Sequence, residues 1–241
     1  MDKIWIIAKR ELKSFFDSLT AYIMLIAFLG FSGFFTWFSS SDIFIRNQAD
    51  LRVFFDIAKW TLFFFIPAIT MRMLAEERRS GTIELLLTKA VSDWQIIFGK
   101  FLACLLLIAI ALLFTLPYYF TVWHLGPIDH AAVWTGYLGL ILMSATYISI
   151  GLFASSITNN QIVAFLLTLV FGIFFQILFE ITAQSMGGVI GGLLSYLSIN
   201  SHFESISRGV IDSKDLVYFG SIIFLSLILA ESTLAKRNMA S

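Results

Sequence analysis

Charge is what this sequence has least of. Only 13% of its 241 residues are charged, against 59% hydrophobic. A soluble domain carries about 25% charged residues. The composition therefore predicts an integral membrane protein that is all-α and crosses the bilayer several times. The net charge is zero, so no overall field favours nucleic acid as a partner. A single cysteine, Cys104, excludes an intramolecular disulfide framework and reads as a small core residue. A phosphate-binding loop is also missing. Gly99-Lys100 runs into Phe101, and Trp94 stands where the first glycine belongs. The chain has no such route to ATP hydrolysis, and no catalytic constellation or resident cofactor is expected. Of three histidines, His124 and His130 share one loop and His202 lies in another. They read as interfacial residues rather than metal ligands.

Long uncharged runs mark the spans. A cleaved signal is not expected, because the first apolar run starts only at Ser18 and lasts 24 residues, to Ser41. Residues 1–17 read as an amphipathic helix lying in the interface, with Ile4, Trp5, Ala8, Leu12, Phe15 and Phe16 on one side. Six spans are expected, at about 19–39, 54–73, 98–120, 134–154, 162–181 and 216–235. The second holds Asp56 and Lys59, expected near its outer end with Lys59 snorkelling to water. Ala131–Phe179 is 49 residues without a charge, divided by the polar break at Ser155–Gln161. Ile181–Ser201 could be a seventh span. Four glycines and the absence of a preceding polar loop favour a re-entrant or interfacial pair of short helices.

The basic residues set the orientation. With six spans and the N-terminus inside, 11 of the 16 Lys and Arg are inside and only Arg46, Arg52, Lys59, Arg208 and Lys214 are outside. Both termini are then cytoplasmic. No span carries a charge at its centre, which disfavours an ion-coupled carrier. Gln176 and Glu180, four apart on the fifth span, are candidates to line a translocation path.

The one dense block of charge is Glu76-Glu77-Arg78-Arg79, followed by Ser80-Gly81-Thr82-Ile83-Glu84-Leu85-Leu86-Leu87-Thr88. Four consecutive charges must lie in water. Ser-Gly-Thr suits a helix start, and the apolar surface that follows suits a protein partner. This pattern resembles the signature after the second span of ABC-2 type transporter permeases. The N-terminal Lys9–Phe16 stretch is similar to the interfacial helix of that family, and Phe203–Asp212 with Asp215 looks like its outer segment before the last span. The resemblance covers nearly the whole chain and points to a six-span subgroup. That subgroup includes the permease of the nitrous-oxide-reductase maturation system and the gliding-motility-associated permeases of Bacteroidetes, the latter being nearest.

The resemblance implies a single transmembrane domain over 1–241, with a cytoplasmic coupling helix within 76–90 and an outer segment over 182–215. It implies two paired permease subunits in the cell inner membrane, each docking a separate ABC ATP-binding subunit. Glu76, Glu77, Arg78, Arg79, Gly81, Thr82, Ile83, Glu84 and Leu86 would contact that ATPase. An exporter is the expected role. The rivals are a structural or assembly subunit of an envelope machine and a membrane enzyme.

Overall fold

The computed structural model describes residues 2–38, 48–81 and 91–238. Among these residues the structure is helical, with no strand. In chain order the helices are α1 (Asp2–Asp17), α2 (Leu19–Trp37), α3 (Arg52–Thr70), α4 (Ala75–Ser80), α5 (Asp93–Leu113), α6 (Leu116–Leu125) and α7 (His130–Ile157). There follow α8 (Gln161–Ile173), a π-helical turn (Phe174–Leu178), α9 (Phe179–Ser185), α10 (Gly188–Leu197), α11 (Ile199–Ser207) and α12 (Ser213–Asn238).

Six stretches are long and apolar enough to cross a membrane: Leu19–Trp37, Arg52–Ser80, Asp93–Leu125, His130–Ile157, Gln161–Ser185 and Ser213–Ala235. These are the six that the uncharged runs predict. Helix starts follow capping chemistry. Ser92 and Gln95 form a reciprocal capping box at α5, with bonds of 3.3 and 3.2 Å. Asp129 accepts from Ala131 and Ala132 N–H at α7, and Asn160 accepts from Ile162 N–H at α8. The polar break at 155–161 is the turn between α7 and α8.

Helix α7 is the pillar of the bundle. It contacts α3, α5, α8, α11 and α12, and it carries no charge after His130. A helix apolar all round belongs inside. Its small residues let neighbours approach closely. A Cβ on Gly136 would lie 2.5 Å from the Phe55 ring, and one on Gly139 would lie 3.1 Å from Phe203. A Cβ on Gly151 would lie 2.2 Å from Thr70 Oγ1 and 2.7 Å from its Cβ. By contrast α2, α8 and α12 each turn a broad apolar face outward, including Ile23, Phe34, Leu166, Val170, Phe224 and Leu225. Faces of this size are stable beside lipid or another subunit, not water.

The segment 181–201 does not form a seventh span. It is broken into the end of α9, the ten-residue α10 and the start of α11. Ten helical residues rise only about 15 Å. Helix α10 folds back on α9, and the hairpin is tight because a Cβ on Gly191 would lie 1.8 Å from Met186 O. Of the four glycines here, Gly191 alone makes that close approach; Gly188 instead takes a left-handed φ of +75° at the turn. This extremity of the bundle is termed the hairpin end and the other the α1 end.

The close α3–α7 contact yields a test. Gly151→Ala must push on a hydroxyl and a Cβ that cannot swing away, so it should destabilise by about 1–3 kcal/mol. Gly30→Ala on α2, with nothing within 4 Å, should leave thermal stability in detergent unchanged. Equal melting temperatures for the two variants would refute the packing argument.

Candidate functional site

The charge block of the sequence meets a buried cation. Helices α3 and α4 are separated by an irregular turn at residues 71–74. The amides freed there are caught by α7: Ser155 Oγ accepts from Leu74 N–H at 3.1 Å and from Ala75 N–H at 3.0 Å, and donates to Met71 O at 3.0 Å. One hydroxyl thus satisfies three backbone groups. It also aims α4, which carries Glu76, Glu77, Arg78 and Arg79. The helix closes at Gly81, whose φ of +70° is the left-handed C-terminal cap that favours glycine. Ser80 Oγ donates back to Glu76 O at 2.9 Å. Ser80 and Gly81 therefore close α4, and the helix expected to run on from Ser80 to Thr88 lies, from Thr82 onward, outside the described residues.

Helix α1 lies along α5, and their closest approach is at Gly99, where a Cβ would sit 2.7 Å from Ile7 Cγ2. One residue on, Lys100 is 1% exposed. Its Nζ donates to Glu77 Oε1 at 2.7 Å and to Glu11 Oε1 at 3.4 Å. Arg10 pairs with Glu11 and approaches Glu77 Oε1 to 3.8 Å. A buried ammonium is tolerable only with such partners. The cluster joins α1, α4 and α5 through a single nitrogen. Burial alone would push the Glu11 carboxyl up, but Lys100 and Arg10 outweigh it and hold the group below its ordinary value. Arg72, at the end of α3, adds a contact of 5.0 Å to the Phe15 ring of α1.

Glu76 and Arg79 are exposed, while Glu77 and Arg78 are half-buried. Thr82, Ile83, Glu84 and Leu86 lie outside the described residues. Gln176 is buried in the π-helical turn, where it accepts a hydrogen bond from Tyr147 of α7. Glu180, in α9, is half-buried. Gln176 lies in the π-helical turn and Glu180 four residues on, in α9, in the segment expected to border a translocation path.

Three polar residues differ from their sequence reading. Lys59 does not snorkel; it is 5% exposed, donates to Asn200 Oδ1, lies 3.7 Å from Asp56 and sits over the Phe203 ring. Helix α11 supplies a partner that sequence spacing could not reveal. His202 is buried rather than interfacial, bonded to Asp215 at 2.6 Å. Lys100 stood in the sequence only as one basic residue among many. Its signal was weak: a lysine inside an otherwise uncharged apolar helix.

The cluster predicts specific losses. Lys100→Met leaves two carboxylates without their cation and should cost about 3–5 kcal/mol. It should also raise proteolysis of α1. Adding Glu77→Gln should recover part of that loss; additive losses would show that the pair is not coupled. Glu11 has a lowered folded value, so its contribution is present above the ordinary 4.5 and is lost as pH falls through the lowered value. Protection of α1 amides relative to α7 amides, which cancels the intrinsic effect of pH, should be steady above about pH 5 and fall on acidification.

Comparison with known proteins agrees with this geometry. No curated protein matches the chain. The sequence model for the family described as "ABC-2 family transporter protein" matches residues 5–236. That match runs from α1 to the end of the last span, including the Lys100 cluster. The chain therefore belongs to the ABC-2 transporter family, whose members are membrane components of ABC transporters and not themselves catalytic.

Proposed function

We propose that this chain is the permease subunit of an ATP-driven exporter of the cell inner membrane, with the α1 end and both termini in the cytoplasm. It pairs with a second permease subunit and docks a separate ATP-binding subunit through the segment from Glu76 to Leu86. The observation that carries this reading is Lys100. It holds the charged helix α4 to the amphipathic α1 and to the membrane-spanning α5. A push on α4 is therefore felt at once by an interfacial helix and by a span. Ser155 passes the same push to the central pillar α7. Glu180, with Gln176 below it, borders the proposed path, which would be completed by the second subunit. The transported substrate class is left open by these residues.

The resemblance of residues 203–212 to the gliding-motility permeases suggests a setting in an envelope machine. Burial of Gln176 against Tyr147 favours a second reading: an anchoring subunit of such a machine that moves no solute. Stimulation of ATP hydrolysis by candidate substrates would separate the two readings, since an anchor gives none.

Two measurements test the proposal. Leu86→Asp puts a carboxylate where an apolar contact is expected, and a buried unpaired carboxylate has no compensation. The protein should reach the membrane at normal levels but lose co-purification of its ATPase and the coupled hydrolysis. Unchanged association and hydrolysis would sink the docking assignment. Cysteine at Ser241 should be unreachable by an impermeant thiol reagent in intact cells; labelling there would reverse the orientation.

A further inference from the structure

At the hairpin end, α10 and α11 are fastened to α12 by a buried histidine. His202 of α11 is 5% exposed and Asp215, in the first turn of α12, is fully buried. His202 Nδ1 lies 2.6 Å from Asp215 Oδ1, and its Nε2 lies 3.0 Å from the backbone oxygen of Tyr196 in α10. The ring stacks on Tyr218 at 3.9 Å, and Tyr218 O–H donates to Leu197 O.

These contacts fix a proton count. A carbonyl oxygen only accepts, so Nε2 must carry a hydrogen. Nδ1 then faces a carboxyl group. Either Nδ1 is also protonated, or Asp215 is. Both arrangements hold one proton more than a neutral imidazole beside a carboxylate anion. Without that proton, two lone pairs face each other at 2.6 Å, and Asp215 becomes a fully buried anion. Its Oδ2 has no hydrogen-bond partner among the described residues, so only the N-terminus of α12 and the through-space field of Lys214 offset the charge.

Among the described residues no cation bonds the pair directly. Helix α12 presents Asp215, Tyr218 and Phe219 to the ring, and the exposed Lys214, paired with Asp212 at 3.1 Å, acts on Asp215 through space. Helix α10 presents Tyr196. On α11 itself Glu204 accepts from Asn200, and Lys59 of α3 is held by that same Asn200. Helix α7 meets α11 through Gly139, against Phe203 and Ile206.

We propose that the His202–Asp215 pair is a proton-dependent latch holding the α10–α11 segment to α12. It is closed while the shared proton is present and opens as pH rises on that face of the membrane. Histidine is the side chain whose ordinary chemistry suits such a role, because a free imidazole changes charge near neutral pH.

The test is hydrogen exchange on the full chain in lipid nanodiscs at about pH 6 and about pH 9, either side of the ordinary histidine value of about 6.5. The quantity read is protection of α10–α11 amides relative to α7 amides, which cancels the intrinsic effect of pH. In the native protein the ratio should fall at the higher pH. Asp215→Asn supplies an amide donor to a neutral Nδ1, so this variant should stay protected at both values. Nitrogen NMR of histidine-labelled native protein should show the His202 ring nitrogens changing across the same pH interval. A flat ratio in the native protein overturns the latch. So does an Asp215→Asn protein that loses the relative protection at either pH, or a set of His202 ring nitrogens that do not change across that interval.

Discussion

A polar group inside hydrocarbon must find its partner within the protein, because no water will supply one. That constraint organises this molecule. The serines and threonines of its spans mostly bond back to their own helix, and the buried charged groups are spent at junctions. Lys100 joins α1, α4 and α5. Ser155 joins α7 to the turn between α3 and α4. Lys59 joins α3 to α11, and His202 joins α11 to α12 and α10. Elsewhere cohesion comes from close apolar packing around α7, which dispersion and small residues supply without direction. The polar contacts set which helix meets which, and the apolar ones let them touch.

The two ends of the bundle use this economy differently. At the α1 end the partners are full charges in a cluster of Lys, Glu and Arg, rimmed by exposed Glu76 and Arg79. At the hairpin end they are a lysine on an amide and a histidine on one carboxylate, walled by Phe203, Tyr218 and Phe219. The first arrangement tolerates water and shares its charge among several groups. The second is dry and depends on single hydrogens.

Much of the fold was legible in the sequence. Charge-free length marks a span directly, since hydrocarbon thickness and helical rise leave little freedom. The turn at 155–161 and the broken segment at 181–201 could be read for the same reason: one is polar, and the other has too many glycines for a lone helix. What could not be read depended on pairing across the chain. Lys59 and Asn200 are 141 residues apart, and Lys100 and Glu11 are 89 apart. No local pattern announces such contacts. The π turn at Phe174–Leu178 was not announced by any local pattern either. Gly81 closes α4 with a left-handed φ, and the apolar segment expected to form the next helix lies outside the described residues.

The irregular turn at 71–74 has a mechanical meaning. The backbone bonds across it, Met73 N–H to Thr70 O and Glu76 N–H to Arg72 O, are supplemented by the three contacts of one hydroxyl on α7. The span Arg52–Ser80 is therefore jointed where a rod would otherwise run, and the joint bears on α7.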